Sequence, residues 1–292
     1  MRLLAIVFLF SFINVGISQT NNLEEMQLEL ALYADILSNA EMPAHRSWAS
    51  KKFDTLFLKA LAQKDAFDYP FDSVKWIIKL EPDDASFKLY TWQEKIHKKE
   101  YIYHGVIHFK NGTIIPLKDK SKSMEDIEYN ILSPEDWYGA LYYNIKQFKA
   151  KKGTAYLLFG LDYYNFYNRR KLVDVMVVDG DEITFGAPVF LRDNDGRRPI
   201  VKNRLMIEFA GDANVRMNYD EQLELVVYDN LIAVENRISQ MQSAYPDGSY
   251  VGYEYKKGEW NYKDKLFHQK LDEAPTPAPI LNKRNKNIFG KQ

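Results

Sequence analysis

The chain contains no cysteine. That absence excludes thiol catalysis, thiolate metal sites, a lipid-bearing cysteine and any disulfide framework. Stability must come from an ordinary apolar core, and 292 residues are enough to bury one. A dominant charge of one sign is missing too. There are 39 Lys and Arg against 40 Asp and Glu, so nothing points to a polyanion, and no nucleic-acid partner is expected. The one long hydrophobic run lies at the start, where residues 3–15 are mostly apolar after Arg2. It is shorter than the ~20 residues a bilayer-spanning helix needs. Gly16 and Ser18 supply the small residues of a cleavage site after Ser18. Residues 1–18 therefore read as a signal peptide, and the mature chain as periplasmic or secreted with no transmembrane segment.

Catalytic signatures are also missing. There is no G-x-S-x-G elbow, H-E-x-x-H helix, phosphate-binding loop or dinucleotide glycine fingerprint. The stretch Asp193-Asn194-Asp195-Gly196 has part of a calcium loop, but Leu191 and Lys202 stand where oxygen ligands are needed. It reads as a solvated turn. His104 and His108 lie on an alternating, strand-like run, where four residues span ~13 Å, too far to share an ion. No metal and no cofactor are expected. Whether the chain is an enzyme stays open, and the missing signatures favour a non-enzymatic reading.

Aromatic residues, by contrast, are abundant, with 20 Tyr and 17 Phe, which favours strands with amphipathic faces. Residues 22–38 and 46–65 carry apolar positions at helical spacing and are predicted to form a helical hairpin docked on a sheet. From Val74 the period changes to that of strands. Asn111-Gly112 and Asp179-Gly180 mark tight hairpins, and Pro116 suggests an edge strand. Ser133-Pro134-Glu135-Asp136 has the form of a helix start, and Trp137, Tyr138, Leu141, Tyr142, Ile145 and Phe148 follow as an apolar stripe. A helix is therefore predicted near 134–149. Residues 154–160 and 172–178 are continuously apolar, and between them lies a loop rich in Tyr, Asn and Arg. The segment 232–244 is ambiguous between a loop and a short helix.

The predicted fold class is α+β: an N-terminal helical hairpin plus a large, mostly antiparallel curved β-meander with one inserted helix. The predicted organisation is a signal peptide over 1–18 and a helical segment over 19–68. A β-rich domain follows over 69–268, then a Pro-rich and basic disordered tail over 269–292.

The loops at 161–170 and 193–199 are the candidate binding elements, since polar aromatic loops on a rigid sheet often carry recognition. Asp162, Tyr163, Arg169, Arg170 and Trp137 are the candidate binding residues. The acids Asp162, Asp174, Asp220 and Asp229 sit beside or within apolar strands. They read either as a polar cleft or as structural ion pairs and turn caps. No catalytic residue is assigned.

Several strings carry a resemblance. They are KLYTW at 88–92, DWYGALYYNI at 136–145, and LLFGLDYYN with RRKLVDVMVVDGDEITFGAPVF across 157–190. IEFAGDANVRMNYDEQLELVVYDNL at 207–231 and YPDGSYVGYEYKKGEWNY at 245–262 follow. Together they resemble a group of secreted or envelope proteins of Bacteroidetes bacteria, over roughly residues 69–262. The resemblance implies export to a Gram-negative envelope and brings no activity, cofactor or catalytic residue. Three readings remain: an envelope protein binding a protein or glycan partner through sheet loops, a carboxylate-dependent hydrolase of envelope glycans, and a purely structural envelope protein.

Overall fold

Periodicity becomes structure first at the N-terminal end. The computed structural model describes residues 18–97, 100–151, 153–180, 182–235 and 242–266. The expected signal peptide up to residue 17 and the expected tail lie outside the described residues. Helix α1 spans Ser18–Asn39 and α2 spans Pro43–Leu61, with Pro43 in the first turn of α2, where its missing N–H costs nothing. Leu23, Met26, Leu30, Ala34 and Leu37 of α1 are buried at spacings of three and four. Phe53, Phe57, Ala60 and Leu61 of α2 face them and the sheet beneath. No described helix is long and apolar enough to cross a membrane.

Three sheets follow. The first has the order β1 (Ile78–Leu80), β2 (Phe87–His97), β3 (Glu100–Phe109), β4 (Ile114–Lys118). Pro116 lies on β4, at the edge, as its missing donor requires. The second runs β11 (Leu205–Ala210), β7 (Asn168–Asp179), β6 (Gly153–Asp162), β5 (Leu141–Ala150), with β8 (Glu182–Phe185) also paired to β7. The third runs β10 (Arg197–Lys202), β9 (Phe190–Asn194), β15 (Glu259–Lys263), β14 (Gln242–Lys256), β13 (Leu225–Glu235), β12 (Met217–Asp220). The pairings are antiparallel except β15 with β9. The described chain is thus α+β and mostly antiparallel, with its hairpins divided among three sheets rather than joined in one meander.

The sheets stack in layers, and the core shows how. The helical hairpin covers one face of the first sheet, through Tyr90, Trp92 and Val106. The other face of that sheet, with Leu89, Tyr103 and Ile107, meets Tyr156, Leu158, Leu172 and Met176 of the second. Leu157, Phe159, Val173 and Val175, on the opposite face of the second sheet, meet Phe190, Val226, Tyr253 and Trp260 of the third. The second sheet is therefore buried on both faces. That is why residues 154–160 and 172–178 read as unbroken apolar runs: alternation is lost when both faces are dry.

The predicted helix near 134–149 is corrected. Pro134–Asp136 forms one 3-10 turn, and the stripe beyond it is strand β5. The pairing of β5 with β6 shifts register between Tyr142 and Asn144. That bulge reverses which face each later side chain takes. Tyr142 thus packs into the core below the first sheet and Phe148 into the core below the third. A strand with a bulge mimicked a helical spacing. The polar stretch at 193–199 is corrected as well. It is not a loop but the hairpin β9–β10, turning at Asp195 and Gly196, which both have positive φ. The ambiguous 232–244 segment continues β13 to residue 235 and enters β14 from 242, paired Glu235 to Gln242.

Candidate functional site

Strands β6 and β7 end in an exposed turn at residues 163–167. Tyr164, Phe166 and Tyr167 there are 45 %, 51 % and 57 % exposed. Large apolar rings held in water at adjacent positions are unusual unless a partner covers them. The turn is braced from inside. The Asn165 side chain accepts hydrogen bonds from the N–H groups of Tyr167 and Asn168, both at 2.8 Å. The N–H of Gly211 donates to the Tyr167 carbonyl at 2.6 Å. A Cβ at position 211 would sit 2.8 Å from that carbonyl oxygen, so glycine permits the approach.

A buried polar layer holds the base of the turn. Asp162 is 5 % exposed and accepts from the hydroxyls of Tyr103 at 2.9 Å and Tyr138 at 2.7 Å. Burial pushes its carboxyl above the ordinary carboxylate range, and the two tyrosines and Arg170 pull it back. Burial next to Asp162 likewise pushes both phenols well up. The Tyr103 hydroxyl also accepts the N–H of Tyr163 at 2.6 Å. Arg170 donates to Tyr138 at 3.3 Å and to Glu208 at 2.9 Å. Its guanidinium lies 3.3 Å from the centroid of the Tyr164 ring, a cation–π contact that fixes that ring.

A groove of about 590 Å³ opens beside the turn, lined among others by Lys122, Asp126, Tyr129, Tyr164, Arg170 and Glu208. Its far wall comes from the segment between β4 and β5. Lys202 pairs with Glu128 at 2.7 Å, and the Asn203 N–H donates to the Glu128 carbonyl at 2.7 Å. Arg204, fully buried, donates to the Ile127 carbonyl at 2.6 Å and lies 2.8 Å from Asp174. Gly186, at φ +94°, lets the Asn130 carbonyl approach where a Cβ would come within 2.5 Å.

The sequence-derived candidates separate into two sets. The loop expected over 161–170 narrows to the turn at 163–167, where Tyr163 stands, and Arg169 lies beside it on β7, its guanidinium 5.1 Å from the Tyr163 ring. Arg170 lies on the groove. Asp162 is buried beneath the turn, and Trp137 is fully buried, donating to the Tyr142 hydroxyl at 3.0 Å, which in turn donates to Asp174 at 3.1 Å. These two support the surface from behind. Sequence reading missed Tyr129, Asp126 and the rest of the groove wall. Their one signal was an aromatic residue among acids with no period, in residues 124–130.

A second polar cluster lies under α2. His104 Nδ1 is 3.1 Å from Asp54, and Nε2 is 3.4 Å from the Ser50 hydroxyl and 3.7 Å from Glu94. The order Ser–His–Asp is that of a nucleophilic triad. Burial works against charge on His104, but Asp54 and Glu94 outweigh it and lift the imidazole to about 9. The two acids favour the protonated ring, which is no base, and Ser50 is only 2 % exposed, so the arrangement is a poor nucleophile site. The cluster is a half-buried charge cluster in which Asp54 and Glu94 both face His104. Among the described residues, no group of three or more His, Asp or Glu is placed to hold a metal ion. No family model, curated protein or solved structure matches this chain.

Proposed function

We propose that this is an exported, non-enzymatic binding protein of a Gram-negative envelope, which engages its partner through the 163–167 turn and the groove beside it. The observation that carries this reading is the combination of three exposed aromatic rings with a backbone locked by Asn165, Gly211 and Tyr103. Rings fixed before contact lose little entropy on binding, and aromatic anchors contribute most of the energy at interfaces. Support for export comes from the signal-peptide pattern of residues 1–18 and from the resemblance to Bacteroidetes envelope proteins. The hydrolase reading has less support. Asp162, the acid that burial pushes upward, is capped by two tyrosine hydroxyls and does not line the groove.

The test compares the wild-type chain with a Tyr164→Ala/Tyr167→Ala variant, each expressed in the envelope, mildly cross-linked and weighed by native mass spectrometry. A stoichiometric protein or glycan retained by the wild type and lost from the folded variant is the expected result. The same species on both chains, or none on either, would overturn the proposal.

A further inference from the structure

A second pocket, of about 350 Å³, lies behind the groove wall, where the third sheet meets β11. Its size is at the lower end of small-molecule sites, roughly 300–1,000 Å³. Glu128, Tyr129 and Met206 border both spaces, so the wall segment divides them. Tyr228 and Tyr253 form one side, their rings 6.4 Å apart and 19° from parallel. Neither hydroxyl makes a hydrogen bond among the described residues. Arg192 stands at the border with its guanidinium 4.4 Å from the Tyr262 ring. It has no acidic partner among the described residues, whereas Lys202 is neutralised by Glu128 at 2.7 Å. Burial pushes the Tyr228 and Tyr253 hydroxyls up, and the charge of Arg192 acts against that at both. One cation is therefore left over on the border of the pocket, beside an aromatic wall.

We infer that this pocket binds a compact ring bearing one carboxylate. The ring matches the tyrosine faces and the limited volume. The carboxylate matches the planar fork of Arg192, whose charge no protein acid cancels. A single uncancelled charge selects a monoanion. The ring can be a sugar acid, whose hydroxyls meet those of the tyrosines, or an aromatic acid that packs beside the half-buried Tyr228, since Phe190, Tyr228 and Tyr262 already surround the Tyr253 ring. This site uses side chains separate from the exposed turn and does not depend on the function proposed above.

Isothermal titration of the mature chain with sodium glucuronate and with sodium 4-hydroxybenzoate tests it, with glucose and phenol as uncharged counterparts. At least one acid is expected to bind, roughly tenfold or more tighter than its counterpart. Arg192→Gln, a change at an exposed side chain, should weaken that acid by a similar factor with the melting temperature unchanged. Tyr228→Phe, which keeps the ring, should weaken the sugar acid more than the aromatic acid, and Tyr164→Ala should change neither. The inference is overturned if neither acid binds, if acid and counterpart bind alike, if Arg192→Gln binds as the wild type does, or if Tyr164→Ala abolishes binding.

Discussion

The hydroxyl of Tyr103 serves two groups at once, donating to Asp162 and accepting the N–H of Tyr163. Tyr103→Phe removes both bonds and leaves a buried carboxylate oxygen short of a donor. The expected cost is about 1–3 kcal/mol in urea unfolding, with weaker partner binding although no surface atom has changed. An unchanged midpoint would show that the polar layer does not support the turn. Arg204 offers a sharper case, because it and Asp174 are both fully buried. Arg204→Met strands a carboxylate in the core and should cost roughly 3–5 kcal/mol. Asp174→Leu combined with Arg204→Met should cost less than the sum of the single changes, since no charge is then left unpaired. Additive losses would mean that the two side chains act separately. At this scale the sequence was partly legible. Acids within apolar strands announced buried polar groups, but residue 174 and residue 204 are joined only by tertiary structure.

Elements respond to pH where His104 ties α2 to the first sheet. Its folded-state value of about 9 lies above the ordinary value of 6.5. The folded chain therefore holds a proton that the unfolded chain releases between those values. Stability from this pair is fully present below pH 6.5 and declines as pH rises through about 9. The total is on the order of 3 kcal/mol, from ~1.4 kcal/mol per pH unit. Chemical unfolding at pH 6, 7.5 and 9 should show the decline, and His104→Gln should flatten it over that window. A wild-type profile already flat there would contradict a charged His104. The element pattern was legible where one rule applied. The helical hairpin declared itself by spacing, and the Asn111-Gly112 and Asp179-Gly180 turns by type. It failed at β5, because a bulge after Tyr142 shifted the alternation and the Ser133-Pro134 signal opened only a single 3-10 turn.

The whole molecule is a stack: helices, then three sheets, with the second sheet dry on both faces. Hairpin order in the sequence implied antiparallel sheets but not their number, since stacking depends on contacts between residues far apart in the chain. The groove wall was illegible for the same reason: Glu128 and Tyr129 are placed by Lys202 and Asn203, more than seventy residues away. The consequence of the stack is that the 163–167 turn projects from the layer that is buried on both faces. Site-specific photocross-linking in the envelope tests this directly, with a benzophenone side chain in place of Tyr167 or, as a control, of Trp48, an exposed ring on the helical hairpin. A discrete adduct from position 167 and none from position 48 is the expected result. No adduct at 167, or the same adduct from both positions, would contradict the assignment of this turn as the binding face.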